Sequence, residues 1–382
     1  MRIAHVYNWL DPAIGGPPRV IAGLAAGQQR LGHEVRLISS DHPGAPAVDR
    51  FLAARLDPLP PRTTIRPKFF RAVRTRSALR DALRGVDIAH LHGIWPPATL
   101  LAGQMCRALG IPYILAPHGS LHAGALAEKW PRKRIGLWFL GYGALIRHAA
   151  ALHLLNDDER QMPGFVPAPT RCFVLPNGIF ADEFATAPPA GLFRQSMPAL
   201  GDAPFVLFLA RQHPGKGGAL LGEAFARVAA ARPDVHLVAA GPEQGGRPLL
   251  AAAAARHGFT DRLHQPGALD GVQKLAALRE AALFCLPSHH EGFSVGILEA
   301  MASGAPVVIS DRCHFAEVEA EGAGRVAPLA PEPFAQALLD VLADPVAAHQ
   351  MGQRGRARVL AAYTWPAISA RAVAEYQATI RP

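Results

Sequence analysis

Short apolar runs alternate with longer amphipathic stretches along the whole chain. RIAHVY (2–7) predicts a strand covered on both faces, because its run is too short for a helix and mostly apolar. PPRVIAGLAAGQQRLG (17–32) predicts the helix after it, and EVRLIS (34–39) the next strand. The rhythm continues through the strands DIAHLH (87–92), PYILAP (112–117), ALHLL (151–155) and RCFVL (171–175). Such β-α-β alternation implies a parallel sheet with helices on both faces.

ATAPPAGLFRQSMPALGDAP (185–204) interrupts the pattern, and its Pro and small residues predict a linker. Beyond it the alternation restarts. FVLFLA (205–210), VHLVAAG (235–241), LFCLP (283–287) and PVVIS (306–310) are predicted strands. GALLGEAFARVAAARP (218–233), PLLAAAAARHG (248–258), KLAALREA (274–281) and VGILEAMASG (295–304) are predicted helices, with further helices closing the chain. A length of 382 residues exceeds one ordinary core. The expected fold class is α/β, with two doubly wound, Rossmann-like domains at 1–190 and 191–364. Ligands of open α/β sheets bind beyond the carboxyl ends of the strands. The expected site is therefore a cleft between the two domains.

Composition agrees with a folded chain: half of the residues are hydrophobic and 18% are charged. Cys106, Cys172, Cys285 and Cys313 form no CxxC pair and read as free thiols in a reducing cytosol. The N-terminus lacks the pattern of a signal peptide, and no run reaches a membrane-spanning length. The expected location is cytoplasmic. Charge changes the picture more. Residues 1–190 hold 22 Lys and Arg against 13 Asp and Glu, whereas residues 191–382 hold 17 of each, so the net +9 sits in the first half. The window 62–84 alone has eight basic residues and one acid. That focus predicts an anionic partner. With Phe69, Phe70 and the stretch 129–147, it suits an anionic membrane at the inner face of the cytoplasmic membrane, or a polyprenyl-diphosphate acceptor. No nucleic-acid recognition module accompanies it.

Several short motifs follow predicted strands. IGGPP (14–18) is not GxGxxG, and no acid ends the next strand, which disfavours a dinucleotide-dependent dehydrogenase. Gly15 and Gly16 still allow backbone to approach a ligand. PHGS (117–120) places His118 after a strand, PNGI (176–179) does the same for Asn177, and ARQHPGKGG (210–218) sets Arg211 and Lys216 on a loop that opens a helix. Two cations with free amides make a diphosphate cradle. The other histidines show no convincing metal-ligand spacing, and no D-x-D occurs, which argues against a Mg²⁺- or Mn²⁺-held nucleotide sugar.

In EGFSVGILEA, Glu291 and Glu299 stand eight positions apart. On one helix that means about 12 Å of rise and about 80° of rotation, too far to share a metal or a proton. Ser294 is the predicted N-cap. Glu291 then precedes the helix, Glu299 lies inside it, and the amides around Ser294, Val295 and Gly296 fall between. The order acid, anion hole, acid matches the sugar, diphosphate and ribose of a nucleotide sugar.

These motifs, with LPSHHEGFSVGILEAMASGAPVVIS (286–310) as the most specific, resemble the retaining glycosyltransferases of family 4, which have the two-domain GT-B fold. The resemblance spans almost the whole chain in order. It implies an enzyme moving a hexose-type sugar from a UDP-, GDP- or ADP-sugar to a hydroxyl of a glycan or lipid-linked acceptor, in surface polysaccharide or glycolipid synthesis. It implies His118, Arg211, Lys216 and Glu291 at the reaction centre: Glu291 on the sugar hydroxyls, Arg211 and Lys216 on the departing diphosphate. Glu299 would bind the ribose. Gly15, Gly16, Asn177, Gly241, Phe293, Ser294, Val295 and Gly296 complete the implied donor contacts, with no metal and no cofactor. The segment 365–382 would cross back onto the first domain. The resemblance implies retention by front-face attack, in which the departing phosphate accepts the acceptor's proton; no carboxylate is clearly placed as a nucleophile. Pro17 and Pro18, Ser294 and Gln212-His213-Pro214 depart from common fillings of the family's motifs. The competing readings are a GT-B nucleotide-sugar enzyme of epimerase type and a non-catalytic sugar-nucleotide-binding protein.

Overall fold

A computed structural model of the chain describes residues 1–12, 16–40, 45–65, 72–121, 130–163, 166, 171–269 and 271–380. These form two compact units, Met1–Gly178 with Trp365–Pro382, and Ile179–Thr364.

The first unit runs β1 (Arg2–Val6), α1 (Gly16–Arg30), β2 (Glu34–Ser40), α2 (Ala45–Ala53), β3 (Arg62–Ile65), α3 (Ala72–Leu83), β4 (Ile88–His92), α4 (Pro97–Leu109), β5 (Tyr113–Ala116), α5 (Trp130–Phe139), α6 (Tyr142–Arg147), β6 (Ala151–Leu154) and β7 (Cys172–Val174). The second runs α7 (Leu192–Ser196), β8 (Phe205–Leu209), α8 (Gly218–Ala231), β9 (His236–Ala240), α9 (Arg247–His257), β10 (Leu263–Gly267), α10 (Gly271–Glu280), β11 (Leu283–Leu286), α11 (Val295–Ala302), β12 (Val307–Ser310), α12 (Glu317–Ala320), β13 (Gly324–Ala327), α13 (Pro331–Ala343) and α14 (Pro345–Ala362). The last helix, α15 (Trp365–Ile380), belongs to the first unit.

Both sheets are parallel among the described strands, in the orders β3-β2-β1-β4-β5-β6-β7 and β10-β9-β8-β11-β12-β13. Every residue of β4, β5, β6, β11 and β12 is buried, as expected of strands covered on both faces. The order reverses between β1 and β4 in one sheet and between β8 and β11 in the other. Those reversals open a crevice at the carboxyl ends of the central strands.

The helix α15 returns to the first unit because α1 presents small residues to it. A Cβ at Gly23 would overlap the Trp365 ring, and one at Gly27 would overlap Ser369. Two glycines four residues apart share one helix face, so the helices pack closely along that stripe.

Two expectations change. The boundary falls after Gly178, not after residue 190. The predicted linker 185–204 is part of the second unit's core: Phe193 and Leu200 are fully buried, and Phe193 packs on Phe205 with ring centroids 5.6 Å apart. Proline-rich composition signalled irregular backbone correctly, but its two large apolar residues anchor that backbone. The strands β3, β10 and β13 were not predicted. RTTI, LHQPG and GRVA are short, and charge, proline or glycine dilutes their apolar signal.

Candidate active site

The predicted residues of the second unit converge on the carboxyl ends of β8 and β11, on either side of the strand-order reversal. The loop after β8 carries Arg211 and Lys216, and the loop after β11 carries Glu291 and opens α11.

The first loop is held rigidly. Buried Gln212 donates its amide to the carbonyls of Ala210 and Ala240 at 2.9 and 3.0 Å. Its own carbonyl accepts from Gly246 N at 2.7 Å. His213 Nδ1 accepts from Gly215 N at 3.1 Å, which caps a tight turn over Pro214–Lys216. The Ser288 hydroxyl donates to the Gly215 carbonyl at 3.2 Å. Gly217 has φ 81°, and a Cβ there would overlap the Pro287 carbonyl. The turn therefore rests directly on the end of β11 and aims Lys216 at one place. Its Nζ donates to Glu291 Oε1 at 2.5 Å, and both side chains are largely buried.

Glu299, a little over one turn into α11, makes a second such pair. Lys274 Nζ from α10 donates to Glu299 Oε1 at 2.7 Å. Between the two pairs lies the amino end of α11. Ser294 occupies the N-cap position, yet its side chain caps no amide. The first amides of a helix have no intrahelical acceptor and carry part of a positive charge. A Cβ at Gly296 would meet nothing closer than 3.6 Å, so this end of the helix is uncrowded. The result is an amide cluster bracketed by two carboxylate–ammonium pairs. Arg211 stands to one side, donating to Gln244 Oε1 at 3.0 Å.

One expectation needs correction, and two of the implied donor residues also carry packing roles. The amides of the basic loop are not free: Gly215 N is bonded to His213 Nδ1, Lys216 N to His213 O, and Gly217 N to Pro214 O. The amino end of α11 carries the first-turn amides that lie between the two acids. Gly241 is required by packing, because its φ is 136° and a Cβ would overlap the Ala210 carbonyl. Phe293 stacks in an aromatic group, 5.0 Å from Phe315 and 6.0 Å from Tyr363 between centroids.

In the first unit, His118 follows β5 in the left-handed region at φ 51°, with Gly119 after it at φ 78°. His118 Nε2 lies 3.1 Å from His92 Nδ1. Burial pushes the His118 pKa down to about 3, so the ring is neutral. Gly16 opens α1, and among the described residues outside its own chain neighbours no atom lies within 4 Å of where its Cβ would be. Asn177 is buried just before the unit ends. Gly15, Phe69, Phe70 and Lys129 lie outside the described residues. The helix α5 exposes Ile135, Trp138 (64%) and Phe139 (82%), followed by exposed Leu140, beside exposed Arg132 and Arg134. No helix of the described residues is long and apolar enough to cross a membrane.

Sequence reasoning missed Lys274. Nothing in GVQKLAALRE marks it, because its partner lies 25 residues onward. It also missed that His5, His90 and His92 come together, with ligand atoms within 4.8 Å of one another. Strand pairing produces that cluster, since β1 and β4 are neighbours with His5 opposite His90.

Residues 192–358 match the family model of the glycosyl transferases group 1, and residues 15–178 match that of the glycosyl transferase 4-like domain. The chain belongs to the group 1 glycosyltransferases. This glycosyltransferase is 27% identical over 391 residues to the phosphatidyl-myo-inositol mannosyltransferase of Mycobacterium leprae, covering 99% of this chain and 96% of the relative. It is 25% identical over 338 residues to the GDP-mannose:cellobiosyl-diphosphopolyprenol alpha-mannosyltransferase of Xanthomonas oryzae, covering 84% and 81%. Among solved structures it superposes on Anabaena HepE in complex with UDP with a TM-score of 0.79, at 16% identity, over 99% of this chain and 100% of the other. The glycosyltransferase thus has the GT-B fold, with one parallel-sheet α/β unit of seven described strands and one of six.

Proposed function

We propose that this glycosyltransferase moves mannose, with retention and without a metal, from GDP-mannose to a lipid-anchored acceptor at a membrane surface. The observation that carries the donor reading is the bracketed amide cluster of α11, with Lys216–Glu291 on one side and Lys274–Glu299 on the other. A nucleotide sugar presents hydroxyls, diphosphate and hydroxyls in that order. Glu291 would receive the sugar hydroxyls and Glu299 the ribose hydroxyls. The α11 amides, Lys216 and Arg211 would hold the diphosphate, whose charge grows as the glycosidic bond breaks. Fixed donors aimed at developing charge are the largest catalytic term available to such a site.

His118 would sit by the transferred sugar, with Gly16 and Asn177 completing the donor side. The departing phosphate would take the acceptor's proton on the face it leaves. Mannose is chosen because both curated relatives are mannosyltransferases, one of them named for GDP-mannose. A lipid-anchored acceptor is chosen because their names carry phosphatidyl-myo-inositol and a diphosphopolyprenol. The exposed Trp138 and Phe139 beside Arg132 and Arg134 favour a membrane surface over a free glycan, since aromatic and basic side chains together suit an anionic interface.

The test is a transfer assay with GDP-mannose, UDP-glucose and ADP-glucose, run on anionic vesicles carrying a phosphatidylinositol or polyprenyl-diphosphate acceptor. GDP-mannose should be the donor used, EDTA should not slow it, and the product should keep the donor's anomeric configuration. The Trp138→Ser/Phe139→Ser variant should bind vesicles about tenfold more weakly while still hydrolysing donor in solution. Turnover of donor without acceptor into an epimer, or donor binding with neither transfer nor hydrolysis, would overturn the proposal.

A further inference from the structure

A chain of buried polar side chains crosses the first unit from the backbone carbonyl of Leu175 to His118. His153 Nε2 lies 2.7 Å from the Leu175 carbonyl, and His153 Nδ1 lies 3.2 Å from His90 Nε2. His90 Nδ1 lies 2.7 Å from the Tyr376 hydroxyl, and Tyr376 lies 3.3 Å from the Gln28 amide nitrogen. The Gln28 oxygen lies 2.8 Å from His5 Nε2, and His5 Nδ1 lies 3.0 Å from His92 Nε2. His92 Nδ1 lies 3.1 Å from His118 Nε2. The residues come from β1, α1, β4, β6 and α15, and from the turn after β5.

The direction of every bond in this chain is determined. A carbonyl only accepts, so His153 Nε2 must carry its proton, and His153 Nδ1 is then a lone pair. His90 must donate to it from Nε2, which leaves His90 Nδ1 as an acceptor. The Tyr376 proton goes there, so the Tyr376 oxygen accepts from Gln28, which must present its NH₂. The Gln28 oxygen therefore faces His5 and accepts from Nε2–H. His5 Nδ1 in turn accepts from His92 Nε2–H, and His92 Nδ1 accepts from His118 Nε2–H. A cation at any of the four inner histidines would donate from both ring nitrogens and reverse every tautomer between it and His118, so the direction holds while all four are neutral. Burial, which pushes His5 and His153 down to about 4 and His90 and His92 well below 6.5, keeps them neutral.

We infer that Tyr376 and Gln28 are positioning residues that hold His118, through five intervening bonds and rings, as the Nε2–H tautomer with Nδ1 bare. No polar group of the described residues meets His118 Nδ1. On the reading that places His118 beside the transferred sugar, on which this inference rests, His118 offers that sugar or its acceptor a hydrogen-bond acceptor and not a positive charge. The spacing of His5, His90 and His92 would also admit a metal ion, but their ring nitrogens are all engaged in the chain. The C-terminal helix thereby reaches the chemistry: Tyr376 fixes the amide of Gln28, and that amide sets the tautomer seven bonds from the Leu175 anchor.

The test is long-range ¹H–¹⁵N correlation spectroscopy of the full chain labelled in histidine, with His118 assigned by substitution. His5, His90, His92, His118 and His153 should all appear as neutral Nε2–H tautomers. In Tyr376→Phe the Gln28 amide loses its anchor and can turn over, so His118 should become a mixture of tautomers, and in Gln28→Leu likewise. Transfer should slow about fivefold, the value of one hydrogen bond, with the donor KM unchanged. A wild-type His118 that is Nδ1–H or cationic would overturn the inference even if both variants failed to fold. So would stoichiometric zinc in the purified chain, or a His118 tautomer unmoved in folded variants. A tautomer shift with unchanged transfer would keep the hydrogen-bond chain and instead remove His118 from the reaction centre.

Discussion

Lys216→Ala should lower the transfer rate about 10²–10³-fold, the loss seen when one fixed donor to a developing anion is removed. The expectation rests on how completely the protein immobilises this side chain. Gln212 locks the loop to two strand carbonyls, His213 caps the turn, and Gly217 lies against Pro287. A cation held this way needs no reorganisation when the diphosphate gains charge. The same change leaves the Glu291 carboxylate, largely buried, without its ammonium partner. Stability should therefore fall by about 1–3 kcal/mol, and rates must be compared well below the melting temperature. Lys216→Ala/Glu291→Gln separates the two effects. It should recover most of the stability, because no unpaired charge remains, and none of the rate. Thermal melts and single-turnover rates on the two variants check both halves. A Lys216→Ala enzyme with a near-normal rate would show that the cation belongs to the fold alone.

Stability should fall steeply below pH 6.5, because five histidines are held neutral, four of them buried and His118 partly so. His5 and His153 are held at about 4 and His118 at about 3, while His90 and His92 are pushed well below 6.5, all chiefly by loss of hydration. Unfolding returns each to about 6.5. Above that value neither state binds the protons, and the histidines leave stability unchanged. Below it the unfolded chain takes up protons that the folded chain refuses, so stability drops as pH falls, until the folded values are reached. Each group contributes about 1.4 kcal/mol per pH unit in that window. Five together amount to several kcal/mol by pH 5, against roughly 5–15 kcal/mol for a whole domain. Calorimetric melting between pH 6.5 and 5 reads this out largely above the range where carboxylates titrate. A melting temperature that stays flat across that window would contradict a neutral buried cluster.

What could be read in the sequence depended on whether a signal was local. Glu291 and Glu299 were legible as a pair because both lie in one short stretch, and their eight-residue spacing already excluded one shared metal or proton, in keeping with the separate lysine that each meets in the fold. Lys216 was legible from its loop, but its pairing with Glu291 was not, since two different strands deliver them. Lys274 carried no signal at all. The histidine chain was invisible for the same reason. His5, His90 and His153 sit on three strands whose adjacency is fixed only by the sheet order, and Gln28 and Tyr376 come from helices 348 residues apart in sequence. In the sequence, His5 and His153 look like interruptions of apolar strands. In the fold, they are what those strands carry to the carboxyl edge. The buried Phe193 and Leu200 show the opposite failure, where composition spoke for a linker and two side chains decided otherwise.

On the proposed reading, Glu299 and Glu291 hold the two ends of one donor. Calorimetric titration with GDP and with GDP-mannose tests it most directly. Glu299→Ala should weaken GDP itself by about 10–100-fold, the worth of a hydrogen bond to a charged group. Glu291→Ala should leave GDP affinity within about threefold and abolish the additional affinity for GDP-mannose, because its partner is the sugar. If Glu299→Ala binds GDP as the wild type does while keeping its fold, the assignment of the two acids is wrong.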